Sequence, residues 1–362
     1  MESIPHNNQD ESPPVQAEVV NEGRQKLPSR LPKPRRRLWP VLLVLGLCGS
    51  LFINFAFLGV GLSKLTSIDA DSRVRERHFS HSESAEAKIA ILSIEGTILS
   101  GEGFIKRQID RARKDKNVKA LVLRVNSPGG TVSGSDYILH HLRALTEARE
   151  IPIVVSMGGL AASGGYYVSM AVGDTPNSIF AEPSTWTGSI GVIIPHYDLS
   201  EMLGRWGVEQ DSITSDRFKG MGSFAKQMTK EERDLFQALV DDSFSQFKEN
   251  IKKGRPKFRE DTAALNAMAT GQIFTARQAL AGGLVDRIGF VEDAIARAIE
   301  LAGLAERDVQ VVQYAPEPSL TSLLMGAKAQ AEPPGLAELL ELTAPRAYFL
   351  CTWLPPLAVQ RQ

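Results

Sequence analysis

A serine at position 163 sits in "AASGGYYVS" (161–169), between two alanines and two glycines and just past the apolar run "IPIVVSM" (151–157). Such a residue is either a turn serine or a nucleophile held in the open by the turn. Acyl transfer needs a nucleophile, a group that removes its proton, and donors that meet the oxyanion. A second glycine loop, "NSPGG" (126–130), can supply donors. Gly129 and Gly130 carry no side chain to block approach, and their N–H groups can line a concavity. Ser163 opens an expected helix, where backbone N–H groups are free, so the N–H of Gly164 can face the same oxygen. This is the logic of the G-x-S-x-G elbow, although "AASGG" is not that motif.

The proton acceptor is harder to find. His140 and His141 fall inside an expected helix rather than on a strand-end loop, and His196 follows a strand. Lysine is the other option, because a desolvated ammonium gives up its proton readily. Lys219 lies in the loop "TSDRFKGMGSF" (214–224), between Phe218 and Gly220. Most lysines in such loops are simply solvated. The residue types alone leave these choices open.

Positioning these groups requires strand ends. "KIAILSIEGTI" (88–98), "KALVLRV" (119–125) and "IPIVVSM" read as strands, the second apolar enough to be buried on both faces. "TGSIGVII" (187–194) and "VEQDSIT" (208–214) are further strand candidates. Helices are expected over 103–118 and 133–148, the latter with Ser133 and Asp136 at N-cap and N3 spacing. A long helix starts at Thr229, with Glu232 completing a capping box and Leu235, Leu239, Phe244, Phe247 and Ile251 along one face. A further helix over 275–289 ends at Gly282-Gly283. Alternating strands and helices give an α/β fold with a mostly parallel sheet, whose sites lie at the carboxyl ends of strands. Both glycine loops occupy such places.

The 362 residues carry a net charge of −1, which gives no reason to expect a nucleic-acid partner. Six histidines and two cysteines are too few and scattered to suggest a metal or other cofactor. Residues 1–37 are polar, and their end is basic, with Arg24, Lys26, Arg30, Lys33, Arg35, Arg36 and Arg37. Residues 38–63 then run without a charge. As a helix, about 25 residues reach roughly 37 Å, enough to cross a hydrocarbon core of about 30 Å. The preceding positive charge predicts a single-pass anchor in the plasma (inner) membrane, N-terminus cytoplasmic and the rest of the chain across the bilayer. A cleaved signal peptide would have a shorter apolar core and head. Residues 64–87 are expected to be a polar linker, 88–315 the folded domain, and 316–362 a Pro- and Ala-rich tail.

Several of these segments occur together in one known order. "RVNSPGGTV", "VVSMGGLAASGGYYVS", "TGSIGVI", a lysine before "MTKEERDLFQ", and "TGQIFTARQALAGGLVDRIG" resemble the SppA signal peptide peptidase family, in its short form with one catalytic domain. The likeness covers roughly 88–305 and departs at Gly220, where the family usually carries Asp. The resemblance implies a ClpP/crotonase-like α/β fold and a membrane-anchored serine endopeptidase that cuts apolar peptides such as signal-peptide remnants. It implies a Ser–Lys dyad of Ser163 and Lys219, oxyanion donors at Gly130 and Gly164, and Ser189 of "TGS" orienting the lysine. It also implies a homo-oligomeric ring. Two other readings are a crotonase-like acyl-CoA enzyme and an inactive, peptide-binding membrane scaffold of the same fold.

Overall fold

A computed structural model describes residues 74–317 and 347–350 of the chain. The basic segment 1–37, the expected span 38–63, the start of the linker and most of the tail lie outside the described residues. Among the described residues no helix is long and apolar enough to cross a membrane.

The centre of the fold is a run of parallel strands: β2 (Ala87–Glu95), β3 (Val118–Ser127), β5 (Ile153–Ala162), β6 (Ile179–Ala181) and β9 (Arg287–Ile288), neighbours in that order. β10 (Val309–Pro316) adds parallel to β2, and β1 (Val74–His81) closes that edge antiparallel to β10. Residues in β3 alternate between two cores, as a strand's two faces must. Leu121, Leu123 and Val125 enter one apolar cluster, and Ala120 and Val122 the other. Hence the nearly unbroken apolar run in the sequence: both faces are covered.

One face is covered by α1 (Phe104–Lys114), α2 (Val132–Arg149), α3 (Gly164–Ser169) and the C-terminal half of α5 (Lys230–Gly254). α9 (Val291–Leu301) covers the other, through Ala294, Ile295, Ala298 and Ile299. The remaining helices, α4 (Ser200–Arg205), α6 (Lys257–Glu260), α7 (Thr262–Met268) and α8 (Ala276–Gly282), lie between these elements in sequence. α5 begins as its capping box predicts: the Thr229 hydroxyl accepts from the Glu232 N–H, and the Glu232 carboxylate accepts from the Thr229 N–H.

Several expectations need correction. Residues 74–81 are not linker. They form β1, tied down where Lys88 bonds Glu76 at 2.7 Å and Asp115 at 3.0 Å. The cap of α2 is Thr131 rather than Ser133, its hydroxyl accepting from the Gly134 N–H at 3.0 Å. Asp136 is drawn away from capping by the Tyr167 hydroxyl, which donates to it at 2.6 Å. Only residues 186–188 of the "TGSIGVII" region make a strand, β7 (Trp186–Gly188), which runs parallel to β5 and antiparallel to β8 (Ile273–Thr275). Residues 208–214 make none: Val208 and Ile213 point into solvent with nothing to pair against. The tail is not wholly separate from the domain, because β11 (Tyr348–Leu350) pairs antiparallel with the short strand β4 (Gly129–Thr131).

Candidate active site

β5 leads into the site. Its first half pairs β6 and its last three residues pair β7, so Ala162 stands opposite Gly188. The next residue, Ser163, turns the chain from strand to helix with φ 54° and ψ −113°. That backbone conformation is uncommon for any residue with a side chain and costs on the order of 1–3 kcal/mol. It persists because both peptide groups are held. The Ser163 N–H donates to the Gly188 carbonyl at 2.8 Å, and its carbonyl accepts from the Tyr167 N–H at 2.8 Å. The hydroxyl is buried and has no hydrogen-bond partner among the described residues. A buried, unpaired hydroxyl on a strained turn is costly on both counts, which is the pattern expected where function sets the residue.

The "NSPGG" loop lies against this turn. Ser127 donates its hydroxyl to the Gly96 carbonyl at 2.6 Å and accepts the Gly129 N–H at 3.1 Å, which fixes the loop. Gly129 takes φ 94°, and a Cβ there would overlap the Phe349 carbonyl oxygen. A Cβ on Gly164 would come 2.5 Å from the Ser135 Oγ, 3.0 Å from the Gly129 Cα and 3.1 Å from the Gly130 nitrogen. The two glycine loops therefore meet backbone to backbone, as their lack of side chains allows. Ser189 follows β7 directly and is buried, with φ 50° and its N–H donating to the Gln272 carbonyl at 2.7 Å. Ser163, Gly130, Gly164 and Ser189 thus gather at the carboxyl ends of β5, β7 and the loop after β3.

Lys219 does not join them within the protomer. It is exposed in the turns of residues 215–222, held by its backbone N–H on the Asp216 carbonyl at 3.0 Å, and its ammonium has no partner among the described residues. The histidines do not replace it. His140 and His141 lie on α2, and burial and the nearby Lys106 ammonium hold the His141 imidazole below its ordinary range. His196 Nε2 is buried without a partner, but makes no bond to Ser163.

Behind the nucleophile turn lies a polar network that the sequence did not single out. The Tyr167 hydroxyl donates to Asp136 and accepts from Asn250 Nδ2 at 2.6 Å, and Arg143 donates to Asn250 Oδ1 at 2.7 Å. Burial, and then the bond to Asp136, push the Tyr167 phenol far above its usual range, so it stays a donor. Tyr167, Phe247 and Phe349 pack together above this network, with ring centroids 4.6–5.1 Å apart. The doubled tyrosine after the glycines was its only local trace, since the partners come from α2 and α5.

Residues 146–305 match the model of peptidase family S49, a stretch that contains Ser163, Gly164, Ser189 and Lys219. A Synechocystis protein provisionally named a protease is 37% identical over 249 residues, 69% of this chain and 87% of that one. Protease 4 of Salmonella typhi is 36% identical over 246 residues, 66% of this chain but 38% of its own length. The chloroplastic serine protease SPPA of Arabidopsis thaliana is 30% identical over 238 residues, 65% of this chain and 34% of that one. The chain spans most of the first relative and well under half of the other two. With this likeness and a mostly parallel α/β fold presenting a strained serine, the chain belongs to peptidase family S49, the SppA family, and is a serine protease.

Proposed function

We propose that Ser163 is the nucleophile of a Ser–Lys endopeptidase and that Lys219 is its general base. The observation that carries this reading is the Ser163 turn, with its unpaired buried hydroxyl set against two side-chain-free backbone loops. In this scheme Ser163 Oγ attacks the peptide carbonyl as its proton passes to a neutral lysine amine. The N–H groups of Gly130 and Gly164 receive the oxyanion, and Ser189 orients the lysine. The protonated amine then gives its proton to the leaving nitrogen, and water cleaves the acyl-enzyme by the same route.

Because Lys219 is exposed and unpaired, the base is supplied to each serine by a neighbouring subunit of a ring. Exposed apolar side chains around it support such an assembly: Tyr197, Trp206, Phe224, Leu235 and Leu239 present themselves to solvent from 197 to 239. The apolar span 38–63 anchors the chain in the plasma (inner) membrane, N-terminus cytoplasmic, with the protease domain across the bilayer. Its substrates are apolar peptides, including signal-peptide remnants, which reside beside such an anchor.

Separate Ser163→Ala and Lys219→Ala variants test the dyad by cleavage of an apolar peptide. Both should lose activity by orders of magnitude, and the wild-type rate should rise with pH because an amine acts as a base only when neutral. Full activity in either variant would sink the assignment.

A further inference from the structure

β11 is distant in sequence from the domain's other strands, yet it lies on the glycine strand beside Ser163. Its register pairs Tyr348 with Thr131, Phe349 with Gly130 and Leu350 with Gly129. Its other edge is bonded as well: the Tyr348 N–H donates to the Ile193 carbonyl at 2.9 Å, and the Ile193 N–H to the Tyr348 carbonyl at 3.0 Å. The Val132 N–H donates to the Ala347 carbonyl at 3.2 Å. Bonded and non-bonded pairs alternate along an antiparallel ladder, so Phe349 and Gly130 form the next bonded pair. That turns the Gly130 N–H toward the Phe349 carbonyl oxygen. A Cβ on Gly129 would overlap the same oxygen while standing 2.5 Å from the Gly164 nitrogen. The Phe349 carbonyl therefore sits where the two donors assigned to the oxyanion meet.

The side chain agrees. Phe349 is fully buried, stacked on Tyr167 at 4.8 Å and against Phe247 at 4.6 Å. Backbone bonded along both edges, with one side chain sunk in an apolar pocket, is how a peptide binds by strand addition.

We infer that residues 347–350 are a tethered occupant of the substrate groove, with Phe349 in the position of the residue before the scissile bond, so that the folded chain inhibits itself until the segment is displaced. This rests on Ser163 being the nucleophile. Tethering supplies an effective concentration on the order of millimolar, enough to keep the groove filled against dilute substrate even when the contacts are weak. The contacts are also incomplete. Ala347 borders a cavity of about 320 Å³ lined by Leu99, Ser133, Asp136 and Gln246, and its methyl group leaves that space largely unfilled. A peptide with a longer side chain there gains contacts that the tail forgoes. The groove thus selects peptides with an aromatic or large apolar residue before the cut, and a longer side chain two residues earlier.

The test uses the full chain, a chain ending at residue 346, and the variants Phe349→Asp and Tyr348→Pro. The proline removes the N–H that Ile193 accepts and spares the buried ring. Labelling of Ser163 by a serine-directed acylating probe, and kcat/KM on an apolar peptide, should rise about tenfold or more once the tether is lost. A synthetic "APRAYFLC" peptide should inhibit the shortened chain by raising KM with kcat unchanged, and its Ala347→Gln analogue should inhibit at lower concentration. Unchanged labelling in variants whose thermal unfolding matches the full chain overturns the inference, as does failure of the peptide to compete. If Ser163 is labelled equally in all four proteins, the nucleophile stands and the tether falls. If none is labelled at Ser163, the nucleophile falls, and binding of a fluorescent tail peptide to the shortened Ser163→Ala chain still decides the tether.

Discussion

At the scale of single residues, the site depends on groups too small to obstruct one another. Gly164 shows this best, because its missing side chain faces Ser135 Oγ on one side and the Gly130 nitrogen on the other. Ser135 cannot swing away freely, since its hydroxyl donates to the Thr131 carbonyl at 3.0 Å. A methyl group at 164 must therefore push the two glycine loops apart and separate the proposed oxyanion donors. Gly164→Ala is expected to lower kcat by roughly 10²–10³-fold, the loss seen when one such donor is displaced, with a smaller change in KM. Ser135→Ala in the same chain removes the nearest atom and should recover part of kcat. Steady-state kinetics of the single and double variants check this, and a Gly164→Ala enzyme with wild-type kcat would show that the loops do not form the oxyanion site. Ser163 belongs to the same scale. Its positive φ is fixed by bonds to Gly188 and Tyr167, residues on either side of the turn, so the strain is local and the hydroxyl's freedom is built in by its neighbours.

At the scale of elements, β1 shows what an edge strand needs in order to stay attached. Lys88 lies between Glu76 of β1 and Asp115 after α1, all three side chains mostly buried, and Arg111 adds a bond to Glu76 at 2.9 Å. Burial alone would raise the Asp115 carboxyl. The bonds from Lys88 and the Asn117 N–H, with the charges of Lys88 and Arg111, outweigh it and hold the group below its ordinary range. A carboxyl depressed in the folded state stabilises the fold above its unfolded pKa, and that contribution is lost as pH falls through the folded value. Stability measured by denaturant unfolding should therefore fall on acidification below the usual carboxylate range. Lys88→Met should cost roughly 1–3 kcal/mol near neutrality, from lost charged hydrogen bonds, and should flatten that acid dependence. An unchanged pH profile in the variant would mean that the cluster does not carry it. This strand was illegible in the sequence because its alternation is polar: charged residues face both solvent and the Lys88 cluster, and no apolar stripe marks it. β2, β3 and β5 were legible because burial on both faces leaves continuous apolar runs. The glycine loops and the serine were legible because turn chemistry is local. What local pattern could not reveal was long-range pairing: the Tyr167–Asn250–Arg143 network drawn from three helices, and the three residues of β11, too short for any period to show. Residues 208–214 erred the other way, since an apolar alternation there faces solvent rather than a sheet.

At the scale of the whole molecule, the protomer carries two surplus features that account for each other. One is the serine that lacks a base, and the other is the exposed Lys219 amid uncovered aromatic and aliphatic side chains. The first half of α5 shows the same surplus: Leu235 and Leu239 continue the face that buries Phe247 and Ile251, yet are 42% and 54% exposed. Isolated apolar side chains on a surface need no explanation, but a run from Tyr197 to Leu239 that includes Trp206 at 71% exposed marks a contact surface. If each proposed site takes its serine from one subunit and its lysine from the next in a head-to-tail ring, inactive variants can repair one another. A site formed by the serine of a Lys219→Ala subunit and the lysine of a Ser163→Ala subunit is complete. In a randomly mixed ring at equal amounts, roughly a quarter of the sites meet that condition. Co-expressing the two variants should then restore about that fraction of wild-type peptidase activity, whereas each alone stays inactive. Trp206→Glu and Leu239→Glu, far from the serine in sequence and outside its bonding partners, should shift the detergent-solubilised chain to smaller species in light scattering and abolish the restored activity together. Restoration that survives in a fully monomeric protein is physically impossible under this scheme. Absence of any restoration in an intact mixed ring would require Lys219 to reach the serine of its own subunit, by refolding the exposed turn of residues 215–222 onto the carboxyl end of β5.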